Sequence, residues 1–195
     1  MDWVRIWSMS KTYDLVLAAI SAALITICSW ISLNIMDIPF TLQTFGILLV
    51  LFTTGGKRGS ISILIYILLG LVGVPVFAGF KSGPAALIGP TGGFIVGFLA
   101  AGLVYWLVDS RWFKDMKKKS RTSRLVFSVI EGLIVEVILY SVGVSWFMFV
   151  YTRNTGAIGI GSVLTLCVIP FLVPDAVKLA IAAVTSLRTV GIVKQ

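Results

Sequence analysis

The sequence predicts an all-α membrane protein: a bundle of six transmembrane helices with both termini cytoplasmic. Three observations predict it. Of the 195 residues, 58% are hydrophobic and 12% charged, and mean hydropathy is +1.03; a soluble domain is about 45–50% apolar and about 25% charged. The apolar residues gather in runs approaching the ~20 residues a helix needs to cross a bilayer core. Lys and Arg collect on alternate connections between those runs, as the positive-inside rule requires.

The elements follow in order, within one domain. The N-terminal stretch MDWVRIWSMSK carries charge and tryptophan, and no small-residue cleavage site follows its first apolar run, so no signal peptide is expected. Trp3 and Trp7, beside Arg5 and Lys11, suit a membrane surface. Residues 13–33 make the first span. Runs 39–54 and 60–74 are short and separated by a turn at 55–59; two spans are favoured over a re-entrant pair. Residues 92–108 form the fourth span and 125–151 a long fifth. Pro170 and Pro174 interrupt the last run. Proline fits the first position of a helix and not its interior, so the sixth span is expected from about Pro174 to Thr189. Residues 155–170 are left as an outer loop or short helix.

With the N-terminus inside, Arg5, Lys11, Lys57, Arg58, the basic loop 109–124 with its run RWFKDMKKKSR, Arg188 and Lys194 all fall on the inner side. Only Lys81 and Arg153 fall outside. The net charge of +8 therefore implies no nucleic-acid partner. The basic run reads as an orientation signal touching anionic membrane lipid. Cys28 and Cys167 lie in apolar runs and read as small buried hydrophobes. The absence of histidine excludes His-based zinc and triad chemistry. GGKRGS at 55–60 lacks the spacing and preceding strand of a P-loop. No ATP hydrolysis by this chain, no metal and no cofactor are expected.

Three features point to a site. The first is PVFAGFKSGPAALIGPTGG, residues 75–93, which holds Pro75, Pro84, Pro90 and five glycines between two apolar runs. Irregular backbone at membrane depth is tolerated only where it is buried in protein or lines a cavity. With Val76, Phe77, Phe80, Leu87 and Ile88 it is too apolar to float in water. It is either an outer lid, 75–91, folded over the bundle, or an ordinary packed loop. The second feature is charge in the spans, which usually faces the bundle interior. In PDAVK, Asp175 and Lys178 are three apart and share a helix face. They form a local ion pair, or also bind a polar ligand: Asp175 accepting N–H donors, Lys178 donating to a carbonyl or carboxylate. Glu131 and Glu136 have no charged neighbour in sequence; Glu136 shares a face with Tyr140, four residues on. Glu136 either lines the same cavity or is protonated and hydrogen-bonded. The third feature is small residues: Ala18, Ala19, Ala22 and Ala23 in the first span, and Gly93, Gly97 and Ala101 in the fourth. These pack helices within the chain, or dock another membrane subunit.

The segments PFTLQTFGILL, GGKRGSISILIYILLGLVGVPVFAGFKSG, IGPTGGFIVGF, ILYSVGVSW and PFLVPDAVKLAIAA closely resemble the BioY family. These are the biotin-binding S-components of energy-coupling-factor (ECF) transporters. The resemblance runs from about Pro39 to Ala183, with a variable basic loop at 111–124. GVPVFAG, GPTGG and PDxxK in this order make it specific. It implies the ECF S-component fold in the cell membrane and high-affinity capture of biotin from outside, under the loop joining spans three and four. It also implies a transmembrane coupling protein (the T-component) and two ABC-type ATPases as partners, with no catalysis by this chain. The family's acidic and basic pair falls on Asp175 and Lys178, and its lid on Phe77, Ala78 and Gly79. Its coupling-protein face falls on Ala19 and Ala23, or on Ala18 and Ala22. Lys81 stands in a variable part of the loop and inherits no role. Relatives carry a small or amide residue at the position of Glu136, so a carboxylate entering the pocket there would change the ligand contacts.

Biotin has a ureido ring with two N–H donors and a carbonyl, a thioether ring and a carboxylate tail. Asp175 and Lys178 complement the ureido group. Phe77 and Tyr140 are candidate walls, and Gln43 is a further polar group for the site. Two rivals are weighed. A stand-alone proton-coupled secondary transporter would use Glu131 or Glu136, but no internal repeat is visible. A lipid-directed membrane enzyme would need a nucleophile–base pair or a metal cluster, and neither is apparent.

Overall fold

The computed structural model describes residues 3–33, 38–110 and 120–193, with side chains over 12–33, 38–110 and 120–188. Its elements are α1 (Trp3–Trp30), β1 (Ser32–Leu33), β2 (Phe40–Thr41), α2 (Gln43–Thr54), α3 (Gly56–Leu71), a 3-10 turn (Ala78–Phe80), α4 (Pro84–Ile88), α5 (Gly92–Val108), α6 (Arg121–Thr155), α7 (Ile160–Cys167) and α8 (Ile169–Val193). Among the described residues, three segments are long and apolar enough to cross a membrane: Thr12–Trp30, Arg121–Thr155 and Ile169–Arg188. The side chains of Trp3, Arg5, Trp7 and Lys11, the run 111–119 and Lys194 lie outside the described residues.

Several boundaries differ from the expectation. The last helix starts at Ile169, not near Pro174, which lies inside it. Pro170 takes the second position, where its missing N–H would have had no intrahelical partner anyway. Pro174 forgoes only one backbone bond, and the helix is already under way before it: the Leu172 N–H donates to the Val168 carbonyl at 3.1 Å. The second apolar run becomes helical only at Gln43, because residues 40–41 pair antiparallel with 32–33. The third starts earlier than expected, at Gly56, directly after the turn at Gly55 (φ 83°). The fifth begins at Arg121, where the Ser120 hydroxyl caps the helix by accepting from the Ser123 N–H at 3.0 Å. Residues 160–167 form the short helix α7.

The core lies where α2, α3, α5, α6 and α8 meet, around the fully buried Ile47, Leu48, Leu51, Ile63 and Tyr66. Glycine sets the helix spacing. A Cβ at Gly93 would stand 2.1 Å from Trp146 Cβ, and one at Gly132 would stand 2.1 Å from Leu179 Cδ1. The small residues of α5 thus pack against α6 inside the chain. The alanines of α1 divide. Ala18 and Ala22 are buried, whereas Ala19 and Ala23 are exposed. Successive helical residues are ~100° apart, so the two pairs cannot share one face. Ala18 and Ala22 are therefore corrected to core positions, and only Ala19 and Ala23 remain open to a partner.

The crossing 75–91 is anchored at several points. Trp30 Nε1 donates to the Pro75 carbonyl at 2.8 Å, and the Ser29 hydroxyl donates to the Val76 carbonyl. The Gly83 N–H donates to the Gly70 carbonyl at 2.7 Å. The Phe77 ring is buried edge-on to Tyr66 at 5.5 Å and occupies the place a side chain at Gly70 would need. Gly79 (φ 68°) and Phe80 (φ 59°) then reverse the chain, closing an antiparallel bridge between Phe77 and Lys81.

A methyl group at position 70 would sit 2.0 Å from Phe77 Cζ. Gly70→Ala is expected to expel that ring and lower stability by about 1–3 kcal/mol. Gly161→Ala, in α7 with nothing within 4 Å, should be neutral or slightly stabilising. Thermal unfolding of both variants in detergent checks the contrast.

Candidate functional site

A cavity of about 410 Å³ lies beneath the crossing, within the ~300–1,000 Å³ usual for small-molecule sites. Its walls come from six places: residues 38–41 with the start of α2, the crossing itself, the first turns of α5, the middle of α6, the end of α7 at Cys167, and the first turns of α8. Aromatic and aliphatic side chains dominate, among them Phe77, Phe94, Phe98, Leu139 and Phe171.

The polar groups converge at its floor. Asp175 and Lys178 are 3% and 6% exposed. Lys178 Nζ donates to Asp175 Oδ1 at 2.7 Å and to the Thr41 carbonyl at 2.6 Å. The Tyr140 hydroxyl donates to Asp175 Oδ2 at 2.5 Å. The ammonium also lies 4.4 Å from the centre of the Phe40 ring, which stacks on Phe171 at 5.9 Å. Gln43 Nε2 donates to the Tyr66 hydroxyl at 3.0 Å. Two buried charges need this many partners, since their desolvation penalty is otherwise several kcal/mol per ion.

The arrangement is incompletely saturated. Each carboxylate oxygen has a second lone pair, and an ammonium has three donors. Asp175 can therefore accept further N–H groups, and Lys178, with two protein oxygens engaged, has a donor left. No group of three potential metal ligands occurs among the described residues. Cys28 and Cys167 are buried free thiols.

Of the residues singled out in sequence, Asp175, Lys178, Gln43, Phe77, Ala78 and Tyr140 line this cavity. Gly79 does not. It is exposed with positive φ, so its part is to turn the chain rather than touch a guest. Glu136 is not on the cavity wall either. It is buried, and its Oε1 has no hydrogen-bond partner among the described residues, though it lies close enough to feel the charges of Asp175 and Lys178. Glu131 is buried beside Tyr105, away from the cavity. Tyr140, expected as a wall, also holds Asp175 in place. Thr41, Phe40, Tyr66 and Lys81 were not anticipated. Thr41 acts through its backbone and leaves no sequence signal, while Lys81 was visible as a basic residue on a mainly non-basic side.

A second cavity, about 780 Å³, opens at the other end of α2. Asp14, Lys57, Arg58, Asp109 and Arg124 line it, and Arg58 pairs with Asp14 at 2.8 Å. It is larger but gathers none of the buried polar network, so the cavity beneath the crossing is the candidate site.

A family model described as the BioY family matches residues 5–195. The chain is 37% identical over 175 residues to the biotin transporter BioY of Thermotoga maritima, a match covering 90% of this chain and 94% of that one. It is 35% identical over 181 residues to a probable biotin transporter BioY of Pyrococcus horikoshii, covering 93% and 98%. Its fold is similar to a crystal structure of the S-component for biotin from an ECF-type ABC transporter. That similarity has a TM-score of 0.74 at 24% identity, over 92% of this chain and 91% of the other.

Tyr140→Phe removes the hydroxyl that holds Asp175 Oδ2 and leaves the ring. The expected loss of stability is about 1–3 kcal/mol, because a buried carboxylate loses a donor. Thermal unfolding of the purified variant measures it. Val137→Ala, on the exposed face of the same helix, should change it little.

Proposed function

Because the chain belongs to the BioY family, we propose that it is the substrate-binding S-component of an ATP-driven uptake system and that biotin is its substrate. One observation carries the reading: a closed-over cavity with an apolar middle and the Asp175–Lys178–Tyr140 network at its floor. The ureido N–H groups are donors that match the free lone pairs of Asp175. The ureido carbonyl matches the remaining Lys178 donor. The thioether ring and tail suit the aromatic walls, with Gln43 near the polar end. The protein performs no catalysis.

In this reading the chain crosses the cell membrane six times with both termini in the cytoplasm, and the 75–91 crossing faces outside. Biotin enters beneath it. Two ABC-type ATPases supply the energy through a transmembrane coupling protein, which docks on the α1 face that carries Ala19 and Ala23. Transport requires that these partners bind the loaded and empty forms with different affinity, since a ligand shifts an equilibrium only through such a difference.

Equilibrium binding of labelled biotin to the purified protein tests the reading directly. Saturable binding at one biotin per chain is expected, and no binding would overturn it. Replacing Ala19 and Ala23 together by leucine is expected to spare that binding and to block uptake by cells that also make the partner proteins. Undiminished uptake would place the docking face elsewhere.

A further inference from the structure

We infer that Lys81 reads the anionic end of the substrate, pairing with the carboxylate of biotin at the mouth of the cavity. The inference rests on the functional reading above and adds a specificity-determining residue to it. Lys81 lines the cavity from the crossing, and Gln43 of α2 and Asp175 and Lys178 of α8 line the same cavity. Its backbone is fixed: its carbonyl accepts from the Phe77 N–H at 3.1 Å, and Phe77 is buried in the core. The left-handed residues Gly79 and Phe80 between them turn the chain. Phe80 is directed away, onto Trp30 at 5.0 Å.

Charge makes the case. Among the described residues, the charged side chains lining the cavity are Asp175, Lys178 and Lys81. Lys178 and Asp175 neutralise each other at 2.7 Å. The Lys81 ammonium has no hydrogen bond or ion pair among the described residues, so the lining keeps one uncompensated positive charge. Depth separates the two ends. The ion pair is buried, whereas Lys81 is exposed. A guest that is neutral and polar at one end, apolar in the middle and anionic at the other matches this order from floor to mouth. Biotin, with its ureido ring down, places its carboxylate at the mouth.

Competition binding with biotin and its primary amide tests this, since the amide keeps the ring and loses the charge. The wild-type protein is expected to prefer biotin by about 1.5-fold to fivefold at low salt, as an exposed ion pair gives. The preference should fall to near unity in Lys81→Ala, persist in Lys81→Arg and invert in Lys81→Glu. A wild type without preference, or a Lys81→Ala variant with the wild-type preference, overturns the inference while leaving biotin as substrate. A wild type that binds neither compound overturns the functional reading, and the inference with it.

Discussion

The buried pair of Asp175 and Lys178 is the constraint around which the rest of this end of the bundle is arranged. Two charges so deep cost several kcal/mol each to desolvate, and their mutual ion pair within α8 is only part of the remedy. The rest comes from elsewhere in the chain. Thr41 gives its carbonyl to the ammonium, Tyr140 gives its hydroxyl to the carboxylate, and the Phe40 ring lies against the cation. The Thr41 carbonyl can serve because the chain at 40–41 is a short strand pair and becomes helical only at Gln43. A helix beginning a few residues earlier would have turned that carbonyl toward its own backbone. Irregular structure at this point is thus part of the electrostatics.

The same logic explains the crossing. Val76 and Phe77 go into the core, while Ala78, Lys81, Ser82, Ala85 and Ala86 face the cavity. Anchoring through Ser29, Trp30, Gly70 and Tyr66 ties the segment to α1 and α3. The cavity is consequently divided by chemistry: an incompletely saturated polar floor, an aromatic middle and a rim that carries Lys81. The crossing and α8 each contribute to more than one zone and other elements supply the rest, so no single motif encodes the site.

Much of this was legible in the sequence because its causes are local. Apolar runs located the helices, PDAVK put a carboxylate and an ammonium on one face, and glycine with proline marked the crossing. The failures share a cause as well. Spacing shows that Ala18 and Ala22, or Ala19 and Ala23, lie on one face, but not which way α1 is rotated; packing against the bundle decides that. Pro174 could open a helix or sit within one, and only the backbone bonds made ahead of it, Phe171 and Leu172 N–H to the Val168 carbonyl, distinguish them. Glu136 and Tyr140 share a helix face, yet the tyrosine lines the cavity and the glutamate, one turn away, does not. Thr41 contributes backbone, to which side-chain reasoning is blind.

The measurement that bears most directly on the dual role of this pair is biotin binding by the double variant Asp175→Asn, Lys178→Met, alongside its thermal unfolding. Removing both charges together leaves neither one buried without its partner, so the protein should fold with stability close to that of the wild type. In the proposed reading its cavity would then hold a neutral amide in place of the carboxylate and would lack the ammonium donor for the ureido group. Biotin binding should be lost at concentrations that saturate the wild type. A double variant that folds and binds biotin with wild-type affinity would show that the pair serves only the fold, and that the substrate is held elsewhere.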